Sequence, residues 1–130
     1  GGNSLGTFWQ GVACAGLLAV KHANTRDASI VESFSDLTNT YAAMSTDSGT
    51  SARGTISAYR ACQAAGANSI VGPALSFENE ILGQLGGLDQ IVNMGTWTSA
   101  SGLSDQTKFP YLARSYHSDS IRAARVVETL

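Results

Sequence analysis

Apolar residues recur at steps of three and four from Thr7 to Asn24. Phe8, Val12, Ala15, Leu18 and Ala19 fall on one face, with His22 at its end. That period predicts an amphipathic helix. A second helix is predicted from Ser51 to Ala65, with Ala52, Ile56, Tyr59 and Cys62 or Gln63 on one side. Asp47-Ser-Gly-Thr-Ser51 before it is turn chemistry, with Thr50 or Ser51 placed to cap the helix, and Gly66 stops it. Asn68 to Val71 reads as a buried strand that leads through Gly72-Pro73 into a helix over Phe77 to Asp89. In that helix Ile81, Leu82, Leu85 and Leu88 are expected to face inward. Gly83, Gly86 and Gly87 weaken it, by about 1 kcal/mol each relative to Ala, and would permit close packing on a sheet. Ile91 to Thr96 is the next strand, Leu103 to Pro110 a polar connection, and Tyr111 to Tyr116 an edge strand. Ser118 or Asp119 starts a last helix, whose acidic first turn complements the helix dipole. Ala28 to Phe34 and Asn39 to Met44 are irregular; each has room for a short strand, with Tyr41-Ala-Ala-Met-Ser45 favoured.

Strands alternating with helices of this length imply βαβ units and a parallel sheet, hence an α/β fold. Such sheets bind ligands beyond the carboxyl ends of their strands. Two hydroxyl-rich segments stand there: Ser76 at the start of a helix, and Trp97-Thr-Ser-Ala-Ser-Gly102 after the following strand. The first amides of a helix lack intrahelical partners and carry positive partial charge, which suits a carboxylate. The pair therefore reads as a ligand cleft, with Ser76, Trp97, Thr98 and Ser99 as the binding candidates. Ser76 also reads as a plain helix cap. Asp47 reads as a turn residue, and Arg114 and Asp105 as structural partners or solvated charges.

Composition narrows the classes further. At 130 residues the chain is at most one ordinary domain, and 43% apolar content is enough for a core. Charged residues make up 14% and the net charge is -2, so a basic nucleic-acid footprint is absent and no nucleic-acid partner is expected. No apolar run reaches the ~18 residues that span a bilayer; Gly11 to Val20 comes nearest and reads as a core helix, not a signal peptide. Two cysteines, Cys14 and Cys62, do not make a disulfide framework and are expected as buried free thiols. His22 and His117 lack neighbours at metal-ligand spacing. Neither a G-x-S-x-G elbow nor a P-loop nor a strand-following G-x-G-x-x-G occurs, so the expectation is no enzyme, no metal and no cofactor. The chain starts at Gly1-Gly2 and stops at Leu130 inside a helical pattern, as a fragment would.

Four segments resemble one family. Val71-Gly-Pro-Ala-Leu-Ser-Phe77 resembles the "IGP-x-x-S" turn of the type I periplasmic binding protein superfamily. Leu103-Ser-Asp-Gln-Thr-Lys-Phe-Pro-Tyr-Leu-Ala-Arg-Ser-Tyr-His-Ser-Asp119 resembles the "LSD…(Y/F)P-x-F-x-R…P-S-D" segment of the receptor-family (ANF-type) ligand-binding region. Ala19-Val-Lys-His-Ala-Asn24 is similar to the end of that family's first helix, and Asp47-Ser48 to the end of its second strand. The four stand in the family's order and cover nearly the whole chain.

The resemblance implies a partial N-terminal lobe over residues 1–130, with a first strand and a second lobe missing. The lobe would be a three-layer αβα sandwich with a mostly parallel sheet. It would belong to the extracellular side of a membrane receptor, as in metabotropic glutamate and GABA-B-type (G-protein-coupled), natriuretic peptide or ionotropic glutamate receptors. The implied partners are a small, amino-acid-like ligand, the missing second lobe, and a second receptor chain in a homo- or heterodimer, with the membrane reached by a segment outside this chain. By position, Ser76 matches the serine that meets a ligand carboxylate and Ser99 a hydroxyl residue of the second loop. Trp97 departs from the small residue of several receptors, Leu75 from a frequent Ser, Gly49 from a disulfide Cys and His117 from a Pro. The family's sheet order further implies that Cys14 and Cys62 are not bonded to each other. Two other readings keep the fold: a dimerisation or partner-binding lobe without a ligand, and a soluble solute-binding protein of a transporter.

Overall fold

In the computed structural model residues 4–129 are described, with side chains in the first helix described from Val12 onward. The chain divides into two units, Gly1–Ser45 and Thr46–Leu130.

The first unit is built on α1, Ser4–Thr25. Its end is a Schellman motif: Arg26 adopts the left-handed conformation (φ 57°), its N–H donates to Ala23 O, and Asp27 N–H donates to His22 O at 3.0 Å. Arg rather than Gly fills that position, and its guanidinium donates to Ala23 O at 2.6 Å. His22 Nδ1 lies 2.9 Å from Asp27 Oδ2 across the same turn. Serving this terminus, His22 is a structural residue. The predicted inward stripe is corrected: Val12, Ala15, Leu18 and Ala19 are exposed, His22 is half-buried and Ala23, which the stripe did not include, is buried, while the side chain of Phe8 lies outside those described. Cys14 is exposed, against the expectation of burial.

After a 3₁₀ turn at Glu32–Asp36 the chain runs to Ser45 without regular structure. The strand favoured at Tyr41–Ser45 does not form. Asn24 supplies what a neighbouring strand would: its Nδ2 donates to Tyr41 O and its Oδ1 accepts from Tyr41 N–H, both at 2.7 Å.

The second unit is mixed α/β, with a three-stranded parallel sheet. Ser51 caps α2 (Ala52–Ala64) by accepting from Gly54 N–H. Gly66, at φ 81°, ends it with bonds from Gly66 and Ala67 N–H to Gln63 and Cys62 O. The inward face of α2 is Thr55, Tyr59 and Cys62, with Ile56 turned out. Strand β1 (Ser69–Val71) enters α3 (Ser76–Asp89), which returns to β2 (Val92–Gly95). A loop with a 3₁₀ turn at Ser101–Ser104 leads to β3 (Leu112–Arg114), and Ser118 caps α4 (Asp119–Glu128). Sheet order is β1-β2-β3, so β2 is central and β3 an edge, as predicted.

One apolar cluster joins α2, α3 and the start of β2 through Tyr59, Leu82 and Ile91, with Ile70 and Leu85 against it. A second joins Leu103, Phe109 and Leu112. The supposedly polar connection thus supplies two of three residues of a core cluster. Gly83 and Gly86 do allow close packing: a Cβ would come within 2.8 Å of Phe109 and 2.5 Å of Ile91 O.

Burial along the strands alternates. Asn93, Gly95 and Leu112 lie on the face toward α3, where Ile70 is half-buried. Val71, Val92 and Met94 lie on the opposite face and are exposed, Val71 by 74%. β1, expected to be a buried strand, is therefore only half-covered, through Ile70 on the α3 side, with Ser69 and Val71 exposed. Leu88, expected inward, is exposed at the far end of α3.

Candidate functional site

Parallel pairing brings the carboxyl ends of all three strands to one edge. Val71 pairs with Met94 and Gly95 with Arg114. Beyond β1 the chain turns at Gly72, whose φ of 100° suits only glycine, and enters α3. The N-cap of α3 is Leu75, with β-region backbone and no side-chain capping bond. Ser76, read from sequence as a possible cap, is instead the first helical residue. Its half-buried hydroxyl turns to the loop after β2, accepting from Thr98 Oγ1 at 3.1 Å and from Ala100 N–H at 3.3 Å. The first amides of α3 are thus left without the side-chain acceptor that capping normally provides.

Ser76 and Thr98 are brought together, but Thr98 is fully buried, so its hydroxyl tethers the loop and does not face a ligand. Ser99 is half-buried and joined to the start of α4: its Oγ donates to Asp119 Oδ2 at 3.1 Å, and Asp119 N–H donates to Ser99 O at 2.8 Å. Trp97 is 58% exposed in the same loop.

Residues not singled out as ligands complete the corner. Asn79 Nδ2 donates to Pro73 O at 2.8 Å and Leu75 O at 2.9 Å, fixing the turn before α3. Its Oδ1 accepts from Asn93 Nδ2 of β2 at 3.2 Å, both side chains being buried. Asn93 Oδ1 is buried without a hydrogen-bond partner. Gly95 lets loop and helix meet: a Cβ there would lie 2.4 Å from Thr98 Cγ2 and 2.6 Å from Asn79 Oδ1. Arg114 Nη1 donates to Ala100 O at 2.9 Å, and its Nη2 bonds Ser104 Oγ, so of the two readings, structural partner or solvated charge, Arg114 takes the first. Asp105, also read as structural, accepts from Thr107 and Lys108 N–H; the Thr107 hydroxyl and these amides hold its carboxyl below the usual range. Asp47 accepts from Gly49 N–H at 2.8 Å, a turn role.

The corner presents uncapped helix amides, a hydroxyl network, an exposed indole and, at Asp119, an exposed carboxylate. Amides suit an anionic group and the carboxylate a cationic one. A separate cavity of about 110 Å³ lies between α2 and the β1–α3 turn, lined by Thr46, Ser48, Thr55, Cys62 and Pro73 among others. Cys62 is buried there, as expected, and both cysteines are free. Among the described residues no three His, Cys, Asp or Glu side chains gather as a metal site, and no helix is long and apolar enough to cross a membrane.

No protein-family model, curated protein or solved structure matches the chain.

Proposed function

We propose that this chain is part of the N-terminal lobe of an extracellular ligand-sensing region that takes a small zwitterion, such as an amino acid, at the carboxyl edge of its sheet. The observation that carries the reading is the uncapped N-terminus of α3, with Ser76 turned away to hold the loop that bears Trp97, Ser99 and, through Ser99, Asp119. A ligand carboxylate would meet the α3 amides and an ammonium would meet Asp119. Trp97 offers a face for the ligand body, in keeping with cation–π and stacking preferences. Thr98 keeps a role only in positioning.

In this reading the fold is completed as a three-layer αβα sandwich. A second lobe would close over the ligand, and closure would shift a population of receptor dimers on the outer face of a membrane. No catalytic step and no cofactor enter the proposal. Exposure of Val71, Val92 and Met94 favours a second reading, a lobe whose partner surface outweighs its ligand.

Calorimetric titration of the two-lobed protein with the common amino acids and related amines decides between them. Heat of binding that Asp119→Asn and Ser99→Ala both weaken supports the sensing role. Silence across the panel, together with ligand-free dimerisation, supports the partner-binding lobe.

A further inference from the structure

A buried acid in the first turn of α3 has no place in the ligand scheme. Glu78 is 2% exposed. Burial of a carboxylate is costly unless its charge is met by hydrogen bonds or a counter-ion. Here the partners are hydroxyls: Ser48 Oγ donates to Glu78 Oε1 at 2.5 Å and Thr55 Oγ1 donates to the same oxygen at 3.1 Å. Both donors belong to the entrance of α2. Ser48 O accepts from the N–H of the cap residue Ser51, and Thr55 Oγ1 also lies 2.8 Å from Ser51 O, so its one proton is shared between Ser51 O and Glu78 Oε1. Glu78 thus joins two helix N-termini, each favourable to negative charge. An apolar residue at that position would pack there without this link.

Three side chains of the first α3 turn point to three different elements. Ser76 holds the loop after β2, Asn79 holds the β1–α3 turn and β2, and Glu78 holds the α2 entrance. Ser76 and Glu78 are two residues apart on one helical turn, so a change in the tilt of that turn moves both.

We infer that Glu78 is a positioning residue: its carboxylate, bridged by Ser48 and Thr55, sets the first turn of α3 so that Ser76 keeps hold of the Thr98–Ala100 loop. The inference deepens the sensing role and rests on the α3 N-terminus being the ligand end. The positioning itself is read without any ligand.

The test is amide hydrogen exchange of the full chain and two variants. Glu78→Gln keeps an oxygen acceptor for both hydroxyls; Glu78→Met keeps the length and removes the acceptor. The reporter is the Ala100 amide, bound to Ser76 Oγ, and the control is the Asn93 amide, bound to Tyr111 O at 2.8 Å in the sheet. The expected result is exchange at Ala100 faster by about 10-fold in Glu78→Met, the loss of roughly one hydrogen bond, with Asn93 unchanged and Glu78→Gln like the parent. Equal acceleration at both amides would make Glu78 a general stability residue and overturn the inference. No change at Ala100, or acceleration in Glu78→Gln equal to that in Glu78→Met, would overturn it as well. If Glu78→Met does not fold, Ser48→Ala removes the shorter donor and must give the same selective acceleration. Glycine titration of the same proteins then separates the two claims: a parent that ignores glycine counts against the zwitterion site, whereas the exchange pattern alone decides the positioning.

Discussion

Tyr59 shows how one side chain ties the core to pH. Its ring is buried between α2 and α3 while its hydroxyl donates to Asp89 Oδ2 at 2.9 Å. Burial, and then the hydrogen bond and charge of Asp89, raise the phenol from its ordinary 10.0 to about 12. Between those two values the unfolded chain has released the proton and the folded chain still holds it. Stability therefore falls as pH rises through that window and is fully present below it. Urea midpoints measured from pH 9 to 12 should decline more steeply for the parent than for Tyr59→Phe. Equal slopes would show that Tyr59 ionises alike in both states. Gly95 makes a steric prediction at the same scale. Gly95→Ala places a methyl against Thr98 Cγ2 and Asn79 Oδ1, and should cost about 1–3 kcal/mol, read as a lowered urea midpoint with unchanged slope. Neither neighbour is the free end of a flexible chain: Thr98 is tied to Ser76 and Asn79 to three partners.

At the scale of the element, α3 differs from its neighbours in how it begins. Ser51 and Ser118 cap α2 and α4 through the N–H groups of Gly54 and Ile121. Leu75 occupies the corresponding place on α3, with φ -85° and ψ 139°, a cap backbone without a cap side chain. Leu75→Asp should therefore be more stable than Leu75→Ala by about 1 kcal/mol, a comparison in which both variants lose the apolar contacts of a residue that is 41% exposed. The same carboxylate would occupy the amides that the proposed site assigns to a ligand carboxylate, so amino-acid binding, if the proposal holds, should weaken as the melting temperature rises. Stabilisation with binding intact would place the ligand carboxylate elsewhere. Ser51→Ala should cost about 1 kcal/mol and leave binding alone. The caps were legible to within one residue, as Thr50 or Ser51 and as Ser118 or Asp119, and the stop at Gly66 outright, because capping depends on residues within three or four positions. Ser76 was legible as a helix start but not as N1, because a serine's preference for the cap does not reveal which residue takes the β-region backbone. Ser99 with Asp119, and Ser48 with Glu78, were not legible, being 20 and 30 residues apart. Only the fold brings them together. Periodicity likewise assigned Leu82 and Leu88 to one face without showing that neighbours cover only the first.

The distribution of exposed apolar side chains is a property of the whole molecule. In the first unit Val12, Leu17 and Leu18 are exposed on α1; in the second, Val71, Val92 and Met94 form one side of the sheet, and Ile121, Val126 and Val127 are exposed on α4. Parallel sheets occur almost only with both faces covered, because βαβ crossovers place helices there and backbone pairing alone leaves an apolar surface wet. β1 is also an edge, three residues long, with its outer ladder groups unpaired in the sheet. An apolar face beside an open edge favours association. The 130-residue chain should therefore self-associate with rising concentration and bind a hydrophobic dye such as ANS. Val71→Thr with Val92→Thr keeps the branched shape and strand preference of both residues while making the face polar. That variant should shift sedimentation toward the monomer and lower dye binding, with the far-UV spectrum preserved. A parent chain that stays monomeric at high concentration and ignores the dye would mean that this face is covered within the molecule. The pairing of β1 with β2 is common to both cases. What the experiment separates is a sheet whose open face needs another chain against it from one whose face is already covered.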